Sequence, residues 1–154
     1  MRQRLPVFVA ALWWGSLTAL GFMVVPLLFA RLETPAIAGR MAAQLFTAQT
    51  WLSMGCGLLL LMVLQRRSRS DFEQKQAVAP VDKAQSALLF IVTGMLMALL
   101  VEFAVAPRIL AREQLRLWHG IGTAMYVLQW LASAIVLWKV ADRIEASTPE
   151  HGPS

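Results

Sequence analysis

Charge is missing from four long stretches of this sequence, and their length decides what the chain can fold into. Leu5 to Ala30 carries no charged residue for 26 positions, and Met41 to Gln65 none for 25. Ala84 to Val101 carries none for 18, with apolar character continuing through Glu102 to Ala106. Leu117 to Trp138 carries none for 22, with His119 counted as neutral. A hydrocarbon core about 30 Å thick takes about 20 helical residues to cross. Backbone N–H and C=O groups in lipid must be paired within the segment, which makes such runs helices. The expected fold is all-α, an integral membrane four-helix bundle with spans at 5–30, 41–65, 84–106 and 117–138 in a domain of residues 1–143. Residues 144–154 read as a disordered cytoplasmic tail.

Local signals fit these limits. Pro6 falls in a first helical turn, where its missing N–H is not needed. Thr34 before Pro35 reads as an N-cap ahead of the second hydrophobic run, and Asp82 with Gln85 has capping-box spacing. Pro107 is placed to end the third helix or to start the next. The polar stretch from Gln65 to Lys83 reads as a flexible connection. Arg108, Arg112 and Arg116 recur every fourth residue and read as one basic helix face. Met1-Arg2-Gln3-Arg4 resembles a signal-peptide n-region, but the apolar run behind it far exceeds an h-region of about 7–15 residues.

The net charge of +5 would raise nucleic acid as a partner for a soluble chain. Here 58% of residues are apolar and 15% charged, against about 45–50% and about 25% in soluble domains. The basic residues lie between the apolar blocks, without the basic helix or basic-aromatic strand of a nucleic-acid reader. The bilayer is the expected partner and nucleic acid is not. With the N-terminus inside, inner segments hold nine Lys and Arg (Arg2, Arg4, Arg66, Arg67, Arg69, Lys75, Lys83, Lys139 and Arg143) and outer ones five. The positive-inside bias therefore puts both termini in the cytoplasm of a multi-pass protein of the bacterial inner membrane. Trp138 and Trp118 suit the inner and outer interfaces.

Ionisable groups inside spans are costly and are functional candidates by default. Glu102, near the outer end of span three, and His119, opening span four, are the two that qualify. They form either a proton or cation site at the outer mouth of the bundle or a structural pair, with Glu102 bound by Arg108 or Arg112. At 100° per residue His119, Gly122, Tyr126, Gln129 and Ser133 share a stripe that faces other helices. Span two offers Gln44, Thr47 and Trp51 on one side and Gln49, Ser53 and Cys56 on another. The candidate polar cluster is thus Glu102, His119, Gln44, Gln49, Tyr126 and Gln129, lining either a small cavity or a packed helix interface. Gly15 with Ala19, and Ser53 with Gly57, have the small-xxx-small spacing that brings helices together.

Cofactor chemistry finds little support. Eight methionines and Cys56 invite Cu(I), but Met95 and Met97, like Met54 and Cys56, are two apart and point to different helix sides. A haem would have His119 as its one ligand within a span. There is no phosphate-binding loop, no nucleophile elbow and no His-Glu-x-x-His. Neither metal, cofactor nor enzymatic activity is expected.

The stretch from Gly21 through Phe29, Leu32, Gly39 and Leu45-Phe46 to Ser53-Met54-Gly55-Cys56-Gly57 resembles the first half of the transmembrane protein 205-like family. His119-Gly120-Ile121-Gly122-Thr123 resembles the His-Gly-Leu-Ser-Ser element that opens that family's last span. The likeness runs from Leu12 to about Trp138, with Gly122 and Thr123 replacing a serine pair and Tyr126 standing where the family often has Asn. It implies four-span membrane proteins of unknown function, with a hint of export.

Two functions follow. One is a structural or accessory membrane component, bound to a second copy or to another membrane protein. The alternative is an oligomeric transporter or export protein for a small solute or metal complex, using the outer polar cluster. Four spans are few for a transporter, and no internal repeat with broken helices is evident. Polar residues lining one water-accessible cavity would favour transport, and separate environments would count against it.

Overall fold

The computed structural model describes residues 4–74, 82–111 and 114–145, with side chains over 4–66, 86–111 and 114–142. These residues form four helices long and apolar enough to cross a membrane, and no strand occurs among them. Helix α1 runs Leu5–Arg31 and α2 runs Pro35–Gln74. Helix α3 spans residues 82–110 and α4 runs Leu115–Glu145. Each helix packs on its neighbours in the chain, and α1 closes the ring on α4.

The helix limits have local causes. Pro6 sits in the first turn of α1 and is buried. The Thr34 hydroxyl accepts the N–H of Ile37 at 3.3 Å, capping α2 ahead of Pro35. The flexible connection expected from Gln65 is helical as far as Gln74, because α2 continues to that residue. No Gly or Pro lies between Gly57 and Pro80, so nothing in the charged segment breaks an established helix. Residues 75–81, and the side chains of the Asp82–Gln85 cap, lie outside the described ones. Helix α4 likewise continues past Trp138 to Glu145, and residues 146–154 of the expected tail lie outside the described residues.

Pro107 neither ends α3 nor begins α4. Immediately before it, Val101–Val105 widens into a π-turn, with the N–H of Ala106 donating to the carbonyl of Val101 five residues back. Proline lacks an N–H, and its ring collides with the carbonyl four residues earlier, so a wider turn lets the helix continue. The α3–α4 break falls at the next connection, where Gln114 adopts φ 37°. Arg108 and Arg116 therefore lie on different helices rather than on one basic face, and Arg112 is outside the described residues.

Helix α1 has the same interruption at the matching place. Leu20–Val24 forms a π-turn ahead of Pro26, and the N–H of Val25 donates to the carbonyl of Leu20. Aligning the two turns brings Phe22, Val24 and Pro26 onto Phe103, Val105 and Pro107. Ala10, Trp13 and Leu17 then fall on Ile91, Gly94 and Ala98, all six of them buried. A register one residue shorter sets Phe46, Gln49 and Ser53 of α2 on Tyr126, Gln129 and Ser133 of α4. The buried pairs Cys56 with Val136 and Leu60 with Val140 continue it. The α1–α2 and α3–α4 hairpins therefore share one pattern of π-turn, proline and buried positions, a repeat not evident from the sequence alone. Sequence identity is confined to a few residues per hairpin, and the π-turns supply the alignment.

The core inverts the usual soluble pattern. Trp13, Leu17, Leu60, Ile91 and Val136 are fully buried at the centre, while Phe8, Leu89, Phe103 and Trp138 are 69, 64, 65 and 72% exposed. Such an apolar exterior fits lipid and not water. Small residues set the helix contacts. A Cβ on Gly94 would stand 2.8 Å from the Trp13 ring, and one on Gly57 would collide with the Met95 thioether. The Ser53–Gly57 pair thus faces the core. Gly15 and Ala19 do not: Gly15 meets open space and Ala19 is exposed.

Candidate functional site

The polar residues expected to cluster divide into separate environments. At the centre, α2 and α4 meet through side-chain amides. Gln129 donates from Nε2 to the Ser53 hydroxyl at 3.0 Å, and Gln49 donates from Nε2 to Ser16 on α1 at 2.9 Å and to Ser53 at 3.4 Å. Ser16 in turn donates to the Trp13 carbonyl at 2.9 Å. Gln49, Ser53 and Gln129 are all buried. Two glutamines separated from their serines by one helical turn put both groups on the inward face. Interhelical hydrogen bonds of this kind hold membrane helices together, because lipid offers their donors no alternative partner.

Tyr126 lies one turn before Gln129, toward the end of the bundle that carries the two short connections. Its hydroxyl donates to the Leu17 carbonyl at 2.6 Å. A phenol thus inserts into the ladder of α1 where the π-turn begins, a recognised cause of a helix distortion. Gly21 leaves the room: a Cβ there would be 2.6 Å from Tyr126 Cε1. Tyr126 also packs edge-on against its repeat counterpart Phe46, with ring centroids 5.5 Å apart.

Glu102 occupies the position in α3 that Gly21 occupies in α1. It is half-buried, and its Oε1 accepts the hydroxyl of Thr47 at 2.8 Å. No ion pair to it occurs among the described residues. Arg108, expected as a partner, instead places its guanidinium 4.4 Å from the centroid of Trp118, a cation–π contact joining α3 to α4. Arg112 is outside the described residues.

His119 and Gln44 are exposed. The Nδ1 of His119 is 3.0 Å from the Leu115 carbonyl of its own helix, so the expected meeting with Glu102 is not made. Of the six cluster residues, Gln49 and Gln129 share one network, Tyr126 braces α1, Glu102 pairs with Thr47, and the other two face outward.

Several participants are missed by reading ionisable and amide residues first. Ser16 and Thr18 look incidental in α1. Yet Ser16 completes the central network, and Thr18 accepts the Trp130 indole N–H at 2.9 Å while donating to the Trp14 carbonyl at 2.8 Å. At the opposite end of the bundle Lys139 donates to Ser86 at 3.0 Å. The indole N–H groups of Trp13 and Trp14 are buried without an acceptor among the described residues. No group of three His, Cys, Asp or Glu able to hold a metal occurs among them either. Cys56 is a buried free thiol in the apolar core.

The sequence pattern of a family described as domain of unknown function (DUF4149) matches residues 8–117, which includes both π-turns and the Thr47–Glu102 pair. No curated protein and no solved structure matches the chain.

Proposed function

The chain belongs to the DUF4149 family, defined by a domain of unknown function, and we propose that it is a structural or accessory component of the bacterial inner membrane. In this reading both termini are cytoplasmic, as the excess of Lys and Arg on that side favours. The chain has no enzymatic activity or bound nucleic acid, and works with lipid and with a second copy or another membrane protein. We also place it with the transmembrane protein 205-like proteins, on the Gly21–Gly57 and His119–Thr123 stretches.

One observation carries the accessory role. The buried Gln49, Ser53 and Gln129 and the part-buried Ser16 bond to one another, while Gln44 and His119 are exposed. Such a distribution serves helix packing rather than a shared solute path. The test is a deletion strain scored across metals, drugs and pH, with variants supplied at native level. His119→Ala and Gln44→Ala should rescue fully, and Gln129→Leu should fail only to the extent that its abundance in the membrane falls. A variant that is fully abundant and still inactive at His119 or Gln44 overturns the reading.

Transport is the second reading, favoured by the matched breaks in α1 and α3. Corresponding interruptions in two repeats mark binding sites in many carriers. Uptake or efflux by the purified protein in liposomes separates the two readings.

A further inference from the structure

The repeat shows what the fold requires at each position, and therefore what it does not require. The two π-turns are equivalent in length, in distance from their prolines and in the flanking Phe and Val. In the first hairpin, the residue after the opening of the turn is Gly21, and the neighbouring helix fills its space with the Tyr126 phenol. In the second, that residue is Glu102 and the neighbouring helix presents Thr47. A packed bundle is reached without a carboxylate in one half, so Glu102 is not explained by packing.

Its surroundings point to a positively charged ligand. A carboxylate within a spanning helix is costly unless a positive group accompanies it. Among the described residues no cation pairs with it: the Arg108 guanidinium lies over Trp118, and the His119 ring is exposed against its own helix. Thr47 fixes one carboxylate oxygen by its hydrogen bond and offers a hydroxyl oxygen of its own. Pro107 contributes no N–H, so one carbonyl of the π-turn lacks its helical donor. Carboxylate, hydroxyl and carbonyl oxygens are hard ligands suited to hard cations. A single acidic side chain balances a single charge, and no His, Cys, Asp or Glu group for a multivalent metal occurs among the described residues.

We propose that Glu102 and Thr47, with the main chain of the α3 π-turn, bind a small monovalent cation at the place the first hairpin closes with Tyr126. The site requires neither the accessory nor the transport reading to hold.

The test uses the full-length protein purified in detergent, with choline chloride replaced by NaCl or KCl at constant ionic strength. Thermal unfolding is followed by tryptophan fluorescence. A ligand that binds only the folded state raises the midpoint in a saturable way. One or both alkali ions should do so relative to choline, and Glu102→Gln should abolish the response. Thr47→Val should raise the half-saturating concentration about fivefold, the loss of one hydrogen-bonding group. Tyr126→Phe, which removes only a hydroxyl bonded to the Leu17 carbonyl of α1, should leave the ion response intact. A wild-type midpoint indifferent to sodium and potassium overturns the proposal, as does a response that survives in Glu102→Gln. If Glu102→Gln does not fold, an unchanged half-saturation in Thr47→Val overturns it.

Discussion

The side-chain amide of Gln129 reaches the hydroxyl of Ser53 over 3.0 Å and so joins α4 to α2 across the diagonal of the bundle. Ser53 also faces the Gln49 amide, so a single hydroxyl serves donors from two helices. Ser53→Ala removes the acceptor and leaves two buried amides short of a partner. Interhelical hydrogen bonds in membranes contribute about 0.6 kcal/mol on average and about 1.7 at most. Ser53→Ala should therefore destabilise the bundle by about 1–2 kcal/mol. A double-mutant cycle of Ser53→Ala with Gln129→Ala, measured by denaturant unfolding in mixed micelles, should give a clearly favourable coupling. Additive effects would show that the bond does not contribute.

Glycine substitutions should separate by position rather than by type. Gly94 is buried, and a Cβ there would lie 2.8 and 2.9 Å from two atoms of the fully buried Trp13 ring. Trp13 has no free direction to move, so Gly94→Ala should cost about 1–3 kcal/mol by overpacking. Gly15 meets nothing within 4 Å. Gly15→Ala should be neutral or stabilising by up to about 1 kcal/mol, through helix propensity. Parallel unfolding curves for the two variants decide the point, and equal effects would contradict the contact.

The Arg108–Trp118 contact predicts a distinct spectroscopic outcome. The guanidinium lies 4.4 Å from the ring centroid, and such pairs contribute about 0.5–1 kcal/mol at exposed sites. Arg108→Gln should weaken the α3–α4 connection by an amount of that order and change the fluorescence of Trp118. With the other five tryptophans replaced by phenylalanine, an emission spectrum that does not respond to Arg108→Gln would exclude the stacking.

The four helices were legible because charge-free length is a property of each segment alone. The helix ends were less so. Nothing in the composition of residues 66–74 shows that an existing helix will extend through charged residues, and only the absence of Gly and Pro hints at it. Among site residues, Gln49 and Gln129 are placed inward by helical stripes that they share with Ser53 and Ser133. His119 belongs to the Gln129 stripe by angle, but it lies at the first turns of α4, where the helix rises beyond the packed interior and the position is exposed. Glu102 and His119 are adjacent in topology but bond to different partners, Thr47 and the Leu115 carbonyl, and periodicity carries no information about which helix a side chain meets. The repeat is hidden for a similar reason. Its strongest element, Phe-x-Val-x-Pro, looks like an ordinary apolar segment until both copies are seen to widen at the same turn.

The contact between Gly21 and Tyr126 allows the sharpest check on how α1 and α4 fit. A Cβ on Gly21 would approach Tyr126 Cε1 to 2.6 Å and its hydroxyl oxygen to 3.1 Å. The ring cannot simply swing aside. Its hydroxyl is held by the Leu17 carbonyl at 2.6 Å, and Phe46 packs edge-on against it. Gly21→Ala should therefore cost about 1–3 kcal/mol, either by displacing the ring or by breaking its hydrogen bond. Tyr126→Leu alone should also destabilise, because it removes that bond and part of the aromatic contact. In the double variant the new methyl no longer meets a ring, so the combined loss should fall below the sum of the two. A shortfall is expected for Ser53 and Gln129 as well, but from a different cause. There each substitution breaks the same bond, which can be lost only once, whereas here the second substitution relieves a clash made by the first. Unfolding of the four proteins in one detergent gives the coupling directly: with relief, Gly21→Ala costs less in the Tyr126→Leu background than beside the native Tyr126. An alanine cost that is the same in both backgrounds would mean that Tyr126 does not occupy the space Gly21 leaves.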